Sequence, residues 1–280
     1  MRILVTGARG LLGADVLALA EARGHDALGL AREHLDVTDA LAVEAVIRGH
    51  EPDAVVQCAA YTAVDRAEEE PALAMRVNRD GAAHVAAACR SVGAVLAYVS
   101  TDYVFGGRHA VPWGPGEHPE PANHYGRTKL AGERAVAASG ADFVIARVSW
   151  LFGAARRSFV DAMVARAEAG HPLRLVDDQF STPTWTRTAA ATLVSFLEGG
   201  ARGIYHVTSG GGAATRLDFA GEAVRIRGLD VPLEGVPTGT FPEPARRPPY
   251  TVLDVGTTEA FLGRPLPGWR EDLRRYLEEV

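Results

Sequence analysis

Residues 5–16, VTGARGLLGADV, decide how this chain is read. The run before and into them, RILVT (2–6), is apolar and β-branched in the manner of a buried strand. The segment after it, LLGADVLALAEARG, has the composition of a helix. Gly7, Gly10 and Gly13 therefore fall on the first strand–helix junction, spaced GxxGxxG. Glycine there permits a tight turn, lets backbone approach a diphosphate and lets the helix pack closely on the strand. The helix start adds free N–H groups and the positive end of its dipole. A dinucleotide-binding turn is expected, with Gly7, Arg9, Gly10, Leu11, Leu12 and Gly13 around the phosphates.

Working outward, the same alternation continues. Ala27–Leu30, Ala54–Cys58, Val95–Ser100 and Phe143–Val148 are short apolar runs, continuous rather than alternating, as strands covered on both faces should be. Ala-rich helical segments lie between them, among them NRDGAAHVAAACRSVG, which closes on a glycine after a cationic turn. Strand–helix–strand repetition implies a parallel sheet with right-handed crossovers.

After Trp150 the rhythm changes. Helices are expected at SFVDAMVARAEAG, TRTAAATLVSFLEGG, RLDFAGEAVRIRG and REDLRRYLEEV, and strands at Leu173–Val176 and GIYHVT, with a Pro-rich stretch over 232–249. The fold class expected is α/β: a Rossmann-type doubly wound parallel sheet with a smaller α+β substrate-binding region. Residues 1–150 would form the NAD(P)-binding core, with about 184–207 returning to it. Residues 151–183 and 208–280 would form the second region.

Composition narrows the function classes. The 280 residues are 47% hydrophobic and 23% charged, with a formal charge of −6, which opposes a general nucleic-acid or anionic-membrane binder. Two cysteines, Cys58 and Cys89, lie in apolar stretches without CxxC spacing and read as buried thiols of a reducing compartment. Neither a signal-peptide pattern nor a run of roughly 18 apolar residues is visible, so a cytoplasmic protein is expected. None of the nine histidines forms an HxxxH or HxH pair, and no metal is expected.

At the end of the second expected strand, where an acid would hold an adenosine ribose hydroxyl, the chain reads GLAREHLDV. Arg32 stands near that point and Arg9 in the first loop; guanidinium groups match a 2′-phosphate. NADPH is favoured as cofactor, with Glu33 close enough to leave NADH open, and Asp36 and Val37 flank the adenine position. Ser100, Thr101 and Asp102 end the fourth strand, where ligands of open α/β sheets bind. Tyr125 and Lys129, in NHYGRTKLAG, are four apart at a helix start and so share a face. An ammonium beside a phenol favours the phenolate, so Thr101, Tyr125 and Lys129 read as a set that gives a proton to a developing alkoxide.

The motifs TGARGLLG, CAAYTAVDRAEEEP, VN (77–78), STDYVF, YGRTK, RVSWLFG and DDQFSTPT, with a weaker echo in RRPPYTVLD (246–254), resemble the extended short-chain dehydrogenase/reductases. More narrowly, they resemble the dTDP-4-dehydrorhamnose reductase family. That resemblance implies hydride delivery from a nicotinamide to C4 of a dTDP-linked 4-keto-6-deoxy sugar. Tyr125 would be the proton donor, Lys129 its pKa partner and ribose anchor, and Thr101 the residue that positions the carbonyl. Ala59, Ala60, Thr62 and Asn78 would follow the cofactor; Asp102, Tyr103 and Trp150 would meet the sugar, and Arg247 the diphosphate. Some family members hold a divalent ion at a dimer interface. Here Thr186 and Arg187 stand where an acid would be sought, and a homodimer is left open. Two other readings compete: a nucleotide-sugar epimerase retaining NAD, and a non-catalytic regulatory subunit, a role that the family also contains.

Overall fold

The computed structural model describes residues 1–107 and 110–280. Its first half alternates strand and helix: β1 (Arg2–Thr6), α1 (Leu11–Ala22), β2 (Asp26–Leu30), α2 (Ala40–His50) and β3 (Ala54–Gln57). Two short helices, α3 (Arg66–Glu69) and α4 (Pro71–Met75), run through a π-helical turn (Arg76–Asp80) into α5 (Gly81–Val92). Then come β4 (Val95–Thr101), a 3-10 turn (Asp102–Val104), α6 (His124–Ala138) and β5 (Phe143–Val148). The second half contains β6 (Leu151–Phe152), α7 (Phe159–Glu168), β7 (Leu173–Val176), β8 (Thr184–Trp185), α8 (Thr186–Glu198) and β9 (Gly203–His206). It ends with α9 (Arg216–Ile226), β10 (Leu233–Val236), α10 (Gly256–Leu262) and α11 (Trp269–Glu279).

Six strands pair in parallel in the order β2-β1-β3-β4-β5-β9. Strand order reverses direction between β1 and β3, and a crevice opens beyond the carboxyl ends of the strands at such a point. Alternate residues of each strand enter opposite cores. Ile3, Val5, Ala54 and Val56 pack with α1 and α8 through Leu12, Val16, Leu193 and Phe196. Leu4, Val55, Leu96 and Tyr98 pack with α2, α5 and α6 through Ile47, Val85, Cys89 and Val136. Burial on both faces explains the continuous apolar runs. Each valine, leucine, isoleucine or phenylalanine among them contributes about 1.5–3 kcal/mol on leaving water.

Outside this sheet, β7 and β10 form a two-stranded parallel sheet, and β6 and β8 another. Around them α7, α9 and α11 enclose a separate core built on Phe152, Trp185, Phe219 and Trp269. The structure adds elements that composition did not announce. Helix α2 starts where the Asp39 carboxylate accepts from the Ala42 N–H at 3.0 Å. Within the Pro-rich stretch, β10 pairs Leu233 with Leu173, so tertiary pairing makes the strand. Several edges also differ by one residue: the third strand ends at Gln57, β2 starts at Asp26 and β4 extends to Thr101. Among the described residues, no helix is long and apolar enough to cross a membrane.

Candidate active site

A cleft of about 870 Å³ lies beyond the strand ends at the reversal of strand order. One wall is the β1–α1 junction. Gly7 has φ of +68°, and a Cβ there would stand 2.6 Å from the Ala59 nitrogen, so only glycine lets the turn lie against the end of β3. At Gly13 a Cβ would collide with the Gly7 carbonyl, which brings α1 close against its own turn. Gly10 caps α1 without any side-chain hydrogen bond. The N–H groups of the first helical turn are thus left facing the cleft. Uncapped donors at a helix start, in a turn too tight for side chains, fit a dinucleotide's diphosphate.

Arg32 and Arg9 reach the mouth of the cleft, each beside a carboxylate. Arg9 pairs with Glu33, and Arg32 lies 3.8 Å from Asp36. The Asp36 carboxylate is held below its usual range, chiefly by the Thr38 N–H it accepts at 2.9 Å. It stands outside the cleft lining, and Val37 is buried in the core with its carbonyl on the His84 ring at 3.1 Å. Ala60 and Thr62 line the cleft, whereas Ala59 meets it only through Gly7. Asn78 is buried in the π-helical turn. Its side chain pairs with both backbone groups of Tyr61, at 2.9 and 3.0 Å, and donates to the Thr128 hydroxyl at 2.9 Å. It braces the loop that carries Ala60 and Thr62 against α6.

The opposite wall starts at the end of β4. Asn123 fixes the start of α6 by accepting from the Gly126 N–H at 2.8 Å, which places Tyr125 on the first turn and Lys129 one turn later. Both line the cleft with Thr101 and Asp102. Burial raises the Tyr125 pKa above its ordinary value, and a hydrogen bond with Thr101 offsets this in part. Lys129 is 2% exposed, and burial pushes its pKa down to about 7 against the pull of Glu133. The spacing of Tyr125 and Lys129 suggested direct contact. Instead the ammonium donates to the Val99 carbonyl at 2.7 Å and lies 4.1 Å from the Tyr98 ring centroid. A free amine under a strand takes the nearest carbonyl, and the phenol takes the threonine.

Asp102 is 2% exposed and raised to about 6 by burial. It accepts from the hydroxyls of Thr101 at 3.1 Å, Ser181 at 3.0 Å and Thr251 at 2.5 Å. Lining the cleft where the sugar was expected, it also ties β4 to two segments of the second half and orients Thr101. Tyr103 is also buried, its ring edge-on to Tyr125 with centroids 6.1 Å apart. Trp150 does line the cleft, with its backbone at φ +39°, a left-handed conformation costly for a bulky residue. Arg247 makes a bidentate pair with Asp65, at 2.9 and 2.8 Å, beside a separate cavity of about 460 Å³.

Several cleft residues were not foreseen: Cys58, Ser149, Arg156 and Arg157. Ser149 follows β5 and was accessible to the same strand-end argument that found Thr101. The two arginines follow β6, a strand too short to be announced by pattern. Cys58 is half-buried at the cleft rather than deep in the core, with its thiol pushed up to about 12 by burial. Thr186 donates to Asp15, and Arg187 pairs with Glu279 at 2.8 Å.

A hydroxyl, a phenol and an ammonium gathered beyond the strand ends, facing a glycine turn on a doubly wound sheet, define a nucleotide-dependent oxidoreductase of the short-chain dehydrogenase/reductase class. The family model described as RmlD substrate binding domain matches residues 1–280. A dTDP-4-dehydrorhamnose reductase from Streptomyces griseus is 44% identical over 280 residues, covering 97% of this chain and 91% of its own length. A dTDP-4-keto-6-deoxy-D-glucose reductase from Streptomyces niveus is 40% identical over 254 residues, covering 90% and 88%. Among solved structures, the dTDP-4-dehydrorhamnose reductase of Bacillus anthracis in complex with NADP matches with a TM-score of 0.96 at 32% identity, over 100% of this chain and 99% of that one. The chain belongs to the dTDP-4-dehydrorhamnose reductase family.

Proposed function

We propose that this protein reduces the C4 keto group of a dTDP-4-keto-6-deoxy sugar with NADPH. The observation that carries this reading is the convergence of Thr101, Tyr125 and Lys129 on one cleft with the uncapped glycine turn. The names of the relatives supply the substrate class, and the NADP-bound neighbour supports the cofactor. A cytoplasmic location is part of this reading, since a reductase of this kind draws on the NADPH supplied there.

The nicotinamide, when bound, supplies hydride to the carbonyl carbon. Tyr125 holds its proton at neutral pH because burial disfavours the phenolate. It passes that proton to the carbonyl oxygen as negative charge develops there. The Thr101 hydroxyl accepts from the Tyr103 N–H at 3.2 Å and gives its single proton to Asp102 in the free site; turned to the carbonyl oxygen when substrate is bound, that proton would hold the oxygen in line with the phenol. Lys129 lines the same cleft with its ammonium on the Val99 carbonyl at 2.7 Å, and its positive charge would favour the phenolate left behind. Leu11, Leu12 and Gly13, whose backbone lines the cleft at the helix start, would hold the cofactor through its diphosphate, and Arg9 and Arg32 at the cleft mouth would favour a 2′-phosphate.

The test is NADPH oxidation by the purified protein against a panel of dTDP-4-keto-6-deoxy sugars, with product stereochemistry read by NMR. Turnover giving a single C4 alcohol is expected. No turnover on any of the panel overturns the proposal.

A further inference from the structure

Arg216 opens α9 on the far side of Trp150, in surroundings unusual for an arginine. Its guanidinium carbon lies 3.7 Å from the centroid of the Trp150 ring and 4.8 Å from that of Phe159. Two aromatic faces therefore hold the group, and the residue is half-buried. Among the described residues its side chain makes no hydrogen bond and no ion pair. Guanidinium carries five N–H donors in a planar fork, and leaving a partly desolvated one bare is costly.

The acids nearby do not answer it. Asp102 acts on it from a distance and is already occupied by three hydroxyls. Glu243 also acts from a distance and is exposed. Asp218, two residues on, caps α9 by accepting from the Thr215 N–H at 2.8 Å. Arg247, expected at the substrate diphosphate, is held by Asp65. An open cationic fork is thus stacked on Trp150, a wall of the reactive cleft, and senses charges beside the second cavity.

We propose that Arg216 is the residue that grips the diphosphate of the nucleotide-sugar substrate, between the sugar end of the cleft and the cavity beside Arg247. The assignment rests on the reductase reading above. A planar fork matches two phosphate oxygens. Stacking on Trp150 and Phe159 holds that fork in place before the ligand arrives, so less freedom is lost on binding. It also gives the left-handed backbone of Trp150 a use, since that conformation presents the indole to Arg216.

The test is calorimetric titration of dTDP into NADP-saturated wild type, Arg216→Gln and Arg216→Lys, with thymidine as the uncharged probe. Loss of charge-assisted bonds should weaken dTDP binding by roughly 10- to 100-fold in Arg216→Gln. Arg216→Lys should fall between, and thymidine binding should hold. KM for the dTDP-sugar should rise with the dTDP constant, while kcat changes far less. If dTDP affinity stays within about twofold of wild type while turnover persists, Arg216 is not the grip and the reductase reading stands. Equal losses for dTDP and thymidine would also overturn the assignment, because they report a collapsed aromatic wall. Wild-type protein that binds NADP but neither dTDP nor any dTDP-sugar overturns both readings together.

Discussion

The two walls of the cleft are assembled over different distances along the chain. On the cofactor wall, Gly7, Gly10 and Gly13 belong to one turn, and Arg9 meets a partner at Glu33 in the next strand–helix unit. On the substrate wall, Asp102 bonds Ser181 and Thr251, Asp65 bonds Arg247, and Trp150 carries Arg216. The first wall is a backbone device that needs small residues and free N–H groups. The second is a side-chain device that exists only once distant segments are packed together. Change should therefore act on the first wall mainly through ligand preference, and on the second through both stability and turnover.

The sharpest break of that contrast comes at Tyr125, which belongs to the substrate wall and is the proposed proton donor. Tyr125→Phe should lower kcat by roughly 10²- to 10⁴-fold, with NADPH affinity retained. Single-turnover rates together with NADPH fluorescence titration separate the two effects. A loss confined to cofactor binding would refute the proton-donor role.

Next in size is the joint between the halves. Asp102→Ala leaves the hydroxyls of Thr101, Ser181 and Thr251 without their shared acceptor. The expected cost is of order 3 kcal/mol in urea unfolding, with turnover reduced because Thr101 loses its anchor. A neutral result would mean that the halves are held by their apolar contacts alone.

Lys129 gives a smaller and pH-dependent effect. Its folded pKa of about 7 lies below the ordinary 10.5, so the unfolded chain binds more protons between those values. Stability therefore rises with pH across that window, and the burial cost is fully present below it. The stability advantage of Lys129→Met over wild type should narrow between about pH 6 and about pH 9, measured as a difference in Tm. A constant difference would show that the ammonium stays charged in the folded protein.

The smallest effect belongs to the cofactor wall. Glu33→Gln releases the Arg9 guanidinium toward a 2′-phosphate. Because the pair is exposed, the ratio of NADPH to NADH efficiency should rise only about two- to fivefold. An unchanged ratio would leave Arg32 as the sole determinant.

The glycine turn, both faces of the sheet and the strand-end position of Thr101 were legible in the sequence because they obey local periodicity. The start of α6 was equally plain, since Asn123 and the helix it caps are adjacent. Asn78 was expected along the cofactor and proves to brace its loop, a role that depends on Tyr61 and Thr128 arriving from two other elements. Arg247 was expected at the diphosphate, and its pairing with Asp65, far away in the chain, could not be read from the sequence. Arg216 carried no signal at all, because one arginine at a helix start is ordinary until its neighbours are known.

The sequence by itself determined the class of fold, the place of the cleft and the identity of the phenol and ammonium in it. These follow from spacing within single helices and strands, where backbone geometry fixes which residues are neighbours. Only the tertiary structure decided what each of those groups touches. Lys129 turns to Val99, Tyr125 to Thr101 and Asp102 to the second half. The physical reason is that a buried polar group takes whichever partner packing brings within reach, and that partner is set by contacts between residues far apart in the chain.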